Sequence, residues 1–391
     1  MSEADSTLYK FLQRIPKIEL HCHLLGTIRK ATMRELARKN SARTTDAEID
    51  AFYVRGEKPV GVLHIFRELE NHILQAPDDL RRITYEYLED ASRQQVRHAE
   101  FFWNPTGTLA ATDLSYGELQ NAILLGMNEA ETDFGITSLL IPSIDREAPA
   151  SAGLEMVELM CAHRHPNVVG IGMDYNEVNN PPEKFSEAYA LAKKAGLKTT
   201  AHAGEFGTPW NNVETALDVL GVDRIDHAYT VLDNPALISR CIDQGILITV
   251  VPTNSYYLRI LSPDSWAQEH PIRQMARSGL KIHPNTDDPA FHLVDPIKCQ
   301  RMMVEAFGYS IDDLKSFMLN GLEGSWLDST TKSNLSKEWS EEFDELQQQY
   351  FKSNKFLTIQ WFSLGNQSVL TTGFSRGLGW SMASVRICSN Q

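Results

Sequence analysis

The feature that most constrains the fold is a regular alternation of short apolar segments with amphipathic segments, between about residues 17 and 310. Short apolar or β-branched runs are typical of buried strands, and amphipathic stretches between them are typical of crossover helices. Eight strands are predicted, at 17–24, 96–105, 135–144, 168–176, 197–205, 224–229, 246–254 and 281–288. Eight strands with intervening helices are the number that closes an α/β barrel, so we predict a (β/α)₈ TIM barrel.

Two of the intervening segments carry clear helix boundaries. The segment 186–196 ends at Gly196, a residue favoured after the last turn of a helix. The segment 234–245 begins with Asn234 and Pro235 and ends at Gly245, which fits an N-cap, a first turn and a helix end. A doubly wound open sheet is the alternative architecture, but no glycine-rich phosphate turn supports it.

Two parts of the chain depart from this regular pattern. A helical insertion is predicted after strand 1, at about residues 41–80, where it would lie over the catalytic end of the barrel. It is interpreted as a lid or as an inert insertion. Residues 351–391 form an atypical tail outside a barrel domain of residues 1–350, because no acidic residue follows Glu345. A disordered tail, a product of an altered reading frame and a packing or dimerisation segment all remain open.

Charge and cysteine usage exclude several functional classes. The chain has 37 Lys and Arg residues against 51 Asp and Glu, a net charge of −14 that argues against binding nucleic-acid phosphates. The five cysteines are scattered without a CxxC pair, which favours a reducing compartment. No apolar run resembles a signal peptide or a membrane span. We expect a cytoplasmic protein with no nucleic-acid or membrane partner; the sequence leaves its oligomeric state open.

Metal-capable side chains fall near the C-terminal ends of the predicted strands. His21 and His23 are two residues apart on strand 1, so their side chains point to the same side. His202 lies near the end of strand 5, and Asp287 follows strand 8. The C-terminal ends of barrel strands meet at one face, where active sites lie. Three imidazoles and a carboxylate suit a zinc ion that lowers the pKa of a bound water to ~7.

Three more titratable residues are predicted at the same face: Glu205, His227 and Asp288. Each also has a structural interpretation. Glu205 could complement a helix dipole, Asp288 could cap a turn, and His227 could be a buried core residue. The set as a whole, rather than any single member, indicates an active site.

Several of these residues lie in motifs that resemble those of the adenosine deaminase family, over residues 15–330. KIELHCHLLG is similar to the family's opening ELHxHLxG, HAGE (202–205) and NTDDP (285–289) match two further signatures, and RIDHAY is similar to its histidine segment. The resemblance implies one zinc ion per chain with four ligands, His21, His23, His202 and Asp287. It places Asp287 among the catalytic residues as well, and His23 among those that face the substrate.

The same resemblance assigns roles to the remaining polar residues. Glu205 matches the glutamate that protonates purine N1, which gains electron density when C6 is attacked. His227 matches the histidine that orients the attacking water. Asp288 matches the residue that hydrogen-bonds purine N7.

Two positions in the substrate pocket depart from the family pattern. Leu25 stands where adenosine-specific enzymes have an aspartate that contacts ribose, and Tyr175 stands near a glycine whose backbone approaches N3. Stretches such as HAEFFWNP and DDPAF are closer to adenine deaminases. A site that lacks a polar contact should accept a more apolar substituent. The hypothesis is therefore hydrolytic deamination of a 6-aminopurine, a cyclic amidine, with adenosine to inosine first and adenine or N6-modified adenine as the alternative.

Two further functional classes remain. A different mononuclear-metal amidohydrolase would use the same activated water. A binuclear one would need a bridging lysine or glutamate near the end of strand 4, where the chain has Asp174. A non-catalytic binding protein with this fold would be expected to lack a ligand or the proton donor, yet all of them are present.

Overall fold

The computed structural model describes residues 3–55 and 61–351. Its sheet contains eight strands in sequence order, and every pair of neighbours in that order is parallel. The strands are β1 (Lys17–Glu19), β2 (Val96–Trp103), β3 (Thr137–Asp145), β4 (Gly170–Asp174), β5 (Lys198–Ala203), β6 (Arg224–His227), β7 (Leu247–Val250) and β8 (Lys281–Pro284). All eight predicted strands are confirmed.

Backbone contacts just beyond β1 and β8 close the sheet into a ring. The N–H of His23 donates to the carbonyl of Asp287 at 2.9 Å, and the N–H of Asp287 donates to the carbonyl of His21 at 3.0 Å. The N–H of Leu20 also donates to Oδ1 of Asn285 at 2.8 Å. The fold is therefore an α/β barrel of the TIM type, as predicted, and the open-sheet alternative is wrong.

Helices precede, connect and follow the strands in the described part of the chain. They are α1 (Glu3–Leu12), α2 (Lys30–Lys39), α3 (Asp46–Phe52), α4 (Val62–Glu68), α5 (Pro77–Arg93), α6 (Pro105–Ala111), α7 (Tyr116–Phe134), α8 (Ala150–Ala162), α9 (Ser186–Lys194), α10 (Asn211–Thr215), α11 (Pro235–Asp243), α12 (Ser255–Ile260), α13 (Trp266–Glu269), α14 (Ile272–Met275), α15 (Pro289–His292), α16 (Pro296–Glu305), α17 (Ile311–Gly324) and α18 (Ser329–Phe351). Within residues 3–55 and 61–351, two single π-helical turns occupy Leu69–Ile73 and Ala216–Leu220.

The two predicted helix boundaries are confirmed by their local chemistry. Oδ1 of Asn234 accepts hydrogen bonds from the N–H groups of Ala236 and Leu237, which caps the start of α11. Gly196 and Gly245, which follow α9 and α11, have φ of +75° and +63°. Left-handed backbone of this kind ends a helix, and glycine adopts it without a Cβ clash.

Most strands end a few residues earlier than predicted, and the reason lies in the backbone. Tyr175, His227 and Asp287 have φ of +66°, +66° and +63°. A left-handed residue turns the chain away from the extended direction of a strand. Each such residue costs roughly 1–3 kcal/mol and persists only where the surroundings hold it in place. The segments that leave the ladder are those that carry the polar motifs.

The segment between β1 and β2 contains α2 to α5 and a π-helical turn. Residues 56–60 lie outside the described residues. Just before them, Nη2 of Arg55 donates to the carbonyl of Thr253 at 2.6 Å, so this segment contacts the loop after β7. Its classification as an insertion that acts as a lid remains a prediction.

Other predictions concern the chain ends and the compartment. The tail predicted at 351–391 lies, from residue 352 onwards, outside the described residues. Within the described ranges, no helix combines the length and apolarity that crossing a bilayer requires. The four cysteines in those ranges, Cys22, Cys161, Cys241 and Cys299, are unpaired. The cytoplasmic location remains a prediction.

Candidate active site

Four of the predicted metal-ligating side chains meet at the C-terminal mouth of the barrel. Nε2 of His21 lies 3.3 Å from Oδ1 of Asp287, and Nε2 of His23 lies 3.2 Å from the same oxygen. Nε2 of His23 also lies 3.2 Å from Nε2 of His202. All four residues are at most 5% exposed. The folded chain therefore directs three imidazole nitrogens towards one buried carboxylate oxygen.

Hydrogen bonding fixes the tautomer of His21. Its Nδ1 lies 2.9 Å from the hydroxyl oxygen of Thr249, and that hydroxyl donates to Oδ1 of Asp226 at 2.7 Å. Because Thr249 donates its hydrogen to Asp226, it accepts the hydrogen on Nδ1 of His21. The lone pair of His21 is therefore on Nε2, facing the cluster.

Carboxylates lie close behind the other two imidazoles. Nδ1 of His23 lies 3.2 Å from Oδ2 of Asp174, and Nδ1 of His202 lies 3.3 Å from Oδ2 of Asp226. The amide of Asn104 donates to Oδ1 of Asp174 at 2.6 Å and holds that carboxylate in place. Carboxylates behind imidazoles keep the proton on Nδ1 and make Nε2 a better ligand.

The donor set fits a divalent metal ion. The Nε2 atoms of His23 and His202 face each other, and two lone pairs at that distance need a positive charge between them. In the protein alone, burial opposes a charge on His23, but Asp174 and Asp287 outweigh it and raise the pKa of His23 well above its usual value. Nε2 of His21 is buried without a hydrogen-bond partner. A metal ion would satisfy these nitrogens and supply the same positive charge.

His227 lies at the edge of the same cluster. Ligand atoms of His21, His202, His227 and Asp287 all lie within 4.8 Å of one another. Nδ1 of His227 lies 3.3 Å from the hydroxyl oxygen of Tyr229, whose hydrogen goes to the carbonyl of Val251. Nδ1 is therefore the donor, and Nε2 is an unprotonated nitrogen without a partner. The distances alone allow His227 to be a further ligand or to face a water.

Burial and neighbouring charges favour the neutral forms of both His227 and Glu205. Burial, together with His21 and His202, lowers the pKa of His227 well below its usual value. Burial and the carboxylate of Asp287 raise the pKa of Glu205 well above its usual value. Oε2 of Glu205 lies 3.6 Å from Nε2 of His227, and Oε1 accepts a hydrogen bond from the amide of Asn254 at 2.9 Å. One acid and one base therefore stand side by side at the metal-capable cluster.

The turn that carries Glu205 is held by a residue that the sequence interpretation did not include. The two carboxylate oxygens of Glu177 accept hydrogen bonds from the N–H groups of Gly204 and Glu205, both at 2.9 Å. The amide of Asn212 donates to the same carboxylate at 2.8 Å. Glu177 is 1% exposed and lies in the loop after β4.

Asp288 lies beside the cluster and has a histidine partner. Its Oδ2 lies 3.5 Å from Nε2 of His292, four residues along the chain, and its Oδ1 is buried without a partner. Burial and the neighbouring Asp287 raise the pKa of Asp288 well above its usual value. Gly26 packs against it so closely that a Cβ at residue 26 would lie 2.1 Å from Oδ1 of Asp288. The final glycine of the HLLG motif is thus required by this contact.

A cavity of about 130 Å³ opens onto these groups. The described residues that line it are His23, Gly61, Val62, Leu63, Phe66, Asp174, Tyr175, His202, Glu205, Phe206, Asn254, Ser255, Arg259, Asp287, Asp288 and His292. Tyr175, predicted to shape the pocket, is among them. Leu25, also predicted there, is 2% exposed and is not among the lining residues.

Comparisons with known proteins agree with this geometry. A sequence profile described as adenosine deaminase matches residues 16–342. The adenine deaminase of Rhodospirillum rubrum is 32% identical over 332 residues, which cover 83% of this chain and 96% of the relative. A crystal structure of an amidohydrolase from Burkholderia ambifaria with bound Zn is 55% identical, covers 90% of this chain and 95% of its own, and has a TM-score of 0.88.

The crystal structure of adenine deaminase from Arthrobacter aurescens is also similar, with 29% identity and a TM-score of 0.77, covering 84% of this chain and 99% of its own. The two of these relatives whose names state a substrate are both called adenine deaminase. They do not support adenosine, the substrate that the sequence interpretation placed first, over adenine. The alternative in that interpretation is the better supported one.

Proposed function

Since the chain belongs to the adenosine deaminase family and is therefore a hydrolase of C–N bonds in cyclic amidines, we propose a specific substrate class for it. The proposed reaction is deamination of adenine, or of an N6-modified adenine, to the 6-oxopurine. The observation that carries this proposal is the position of Glu205, whose Oε2 lies 3.6 Å from Nε2 of His227, beside the cluster formed by His21, His23, His202 and Asp287. Burial favours the neutral form of both residues, a proton donor and a proton acceptor. Hydrolysis at C6 needs one proton donor and one proton acceptor at that position.

We infer that His21, His23, His202 and Asp287 hold one zinc ion per chain. When bound, such an ion lowers the pKa of a water to ~7 and so supplies a nucleophile at neutral pH. The carboxylates of Asp174 and Asp226 and the hydroxyl of Thr249 keep the three imidazoles in the tautomer that binds a metal.

The remaining side chains account for the proton transfers. His227 accepts a proton from the attacking water through Nε2, because its Nδ1 hydrogen is directed to Tyr229. It then passes this proton to the amino group, which leaves as ammonia, or as an amine, when the C6–N bond breaks. Attack at C6 moves an electron pair onto N1 of the purine, and Glu205 supplies the proton that N1 then needs. The amide of Asn254 orients the Glu205 carboxyl. Burial beside Asp287 favours the neutral form of Asp288, which donates a hydrogen bond to N7 and fixes the ring.

The shape of the cavity supports a free base over a nucleoside. Its volume of about 130 Å³ is below the range of roughly 300–1,000 Å³ that drug-sized ligands occupy. Tyr175 places a buried ring in the cavity wall at the end of β4. Leu25 does not line the cavity, but it offers no polar group at the position where the family's adenosine-specific members have an aspartate that contacts ribose. The helix α4 contributes Val62, Leu63 and Phe66 to the wall, an apolar surface that suits an alkyl group on N6.

A substrate panel tests the proposal. The zinc-loaded protein is assayed for release of ammonia, or of methylamine, from adenine, N6-methyladenine and adenosine. We expect kcat/KM for one of the two bases to exceed that for adenosine by roughly a hundredfold, which is an ordinary difference for a site lacking the matching polar group. A preference for adenosine would contradict the assignment of a free base. No release from any of the three would contradict the proposed function.

A further inference from the structure

Tyr175 is tied to the segment between β1 and β2 by a buried hydrogen bond. It directly follows β4, has φ of +66° and is 3% exposed. Its hydroxyl donates to Oε1 of Glu70 at 2.6 Å. The guanidinium of Arg67 lies over its ring, 4.1 Å from the centroid. Tyr175 is therefore held by Glu70 and Arg67, two residues from outside the barrel strands. It is also the residue that departs from the family pattern at the end of β4.

Glu70 occupies a site built for its carboxylate. It is fully buried, and it lies in the π-helical turn Leu69–Ile73, a type of turn often found at functional sites. Its Oε2 lies 3.3 Å from Nη1 of Arg67. A Cβ at Gly107 in α6 would lie 2.3 Å from Oε2 of Glu70, so only glycine leaves room for the carboxylate.

Arg67 links the same group to the end of β3. Its Nη1 lies 2.7 Å from Oδ2 of Asp145, the last residue of β3, and its Nη2 lies 2.8 Å from Oε2 of Glu147. The neighbouring Phe66 lines the cavity, with its ring 6.0 Å from that of Tyr175 and 5.8 Å from that of His23. Arg67 and Phe66 thus connect the cavity wall of α4 to the barrel.

We propose that Arg67 and Glu70 are positioning residues that latch α4 onto Tyr175 and so hold the aromatic wall of the substrate cavity in its binding shape. The proposal rests on the proposed function, because it assigns this cavity to the substrate. This latch, formed by Arg67, Glu70 and Tyr175, affects binding of the substrate. Among the described residues, Glu205 and His227, the groups that transfer protons, form no hydrogen bond or ion pair with Arg67 or Glu70.

The experiment uses Tyr175→Phe in the zinc-loaded full chain, since this change removes only the hydroxyl. We expect KM for adenine to rise roughly tenfold or more, with kcat changed less than about threefold and zinc content unchanged. The matched control is Tyr85→Phe, which removes a hydroxyl that donates to Asp133 at 2.8 Å between α5 and α7. Unchanged KM in Tyr175→Phe, or an equal rise in the control, would overturn the proposal.

A double-mutant cycle with Glu70→Leu tests whether the two residues act as a unit. If they do, the double variant has about the same KM as either single variant, whereas independent residues would give multiplied effects. Amide hydrogen exchange in α4 supplies a readout that does not depend on turnover: Tyr175→Phe should accelerate it. If Tyr175→Phe accelerates exchange in α4 but the wild-type protein deaminates no 6-aminopurine, the latch is supported and the proposed function is rejected. Unchanged exchange would reject the latch.

Discussion

Glu177 accepts a hydrogen bond from the backbone N–H of Glu205 at 2.9 Å, so a carboxylate in the loop after β4 fixes the turn that carries the proposed proton donor after β5. Its other oxygen accepts from the N–H of Gly204, also at 2.9 Å. Two consecutive N–H groups on one buried carboxylate leave that turn little freedom. The position of the proposed acid is thus set by a residue from the loop that follows the neighbouring strand, β4.

Glu177→Gln should lower kcat by roughly tenfold or more while zinc content stays the same. An amide oxygen can replace only one of the two acceptors, and its NH₂ group would face the other backbone N–H. Steady-state kinetics with adenine and metal analysis check this. Glu183→Gln, an exposed residue in the same connection between β4 and β5, is the control. Loss of zinc in Glu177→Gln, with kcat per bound zinc unchanged, would refute the positioning role.

Gly26→Ala should displace Asp288 and raise KM for the purine. A Cβ there would lie 2.1 Å from Oδ1 and 2.7 Å from Cα of Asp288, so the backbone beside the site must move. The comparison variant is Gly135→Ala, because Gly135 has φ of +73° and no atom within 4 Å of its added Cβ. We expect Gly135→Ala to lower thermal stability with unchanged KM. Wild-type kinetics for Gly26→Ala would show that this contact does not position Asp288.

Metal analysis separates His23 from His227. His23 belongs to the cluster and His227 lies at its edge. Of the two, His23 has a carboxylate behind Nδ1, that of Asp174 at 3.2 Å, whereas Nδ1 of His227 faces the hydroxyl of Tyr229. We therefore expect His23→Ala to lose most of its zinc and His227→Ala to keep it while losing turnover. Zinc bound per chain, measured by atomic emission after gel filtration, decides the matter. If His23→Ala kept its zinc and His227→Ala lost it, His227 would be the metal ligand and His23 would not.

His270 should make the fold sensitive to acid. It is fully buried, its Nδ1 accepts from the N–H of Ile272 at 3.2 Å, and burial lowers its pKa to about 3. The unfolded chain binds a proton there below a pH of roughly 6.5, whereas the folded chain does not, so stability falls as pH decreases from that value towards 3. The slope from this group approaches about 1.4 kcal/mol per pH unit.

His270→Asn keeps an acceptor for the N–H of Ile272 and removes the titration. We expect the wild type to be more stable at pH 7, and its advantage in the free energy of unfolding to shrink between pH 6.5 and pH 5. Urea unfolding at several pH values measures this, with the exposed His165→Asn as the control. An advantage that stays constant over that range would mean that His270 does not contribute the acid sensitivity.

Local patterns were sufficient to predict the barrel and the members of the cluster. Apolar runs gave eight strands, and the two-residue spacing of His21 and His23 put both imidazoles on one side. Parallel strands have their C-terminal ends at one face, so His202 and Asp287 could be placed with them from their positions alone. The ends of the strands were misjudged because the left-handed backbone of Tyr175 and Asp287 has no signal in hydrophobic periodicity.

The residues that hold the side chains of the site in place could not be predicted from hydrophobic periodicity, because their partners are remote in sequence. Glu70 and Tyr175 are 105 residues apart, and Thr249 and Asp226 are 23 apart. Whether such side chains meet depends on strand register and on helix packing, which a local pattern does not specify. One exception had a usable signal: His292 lies one helical turn after Asp288, the i, i+4 spacing at which side chains meet.

The most direct test of metal-dependent deamination is a zinc titration of the metal-free protein, monitored by ammonia release from a saturating 6-aminopurine base. The proposed site predicts no turnover without metal, a linear rise in rate with added zinc, and a plateau at about one zinc per chain, since the donor set is one mononuclear site. Turnover in the metal-free protein, or a plateau that requires about two zinc ions per chain, would contradict it.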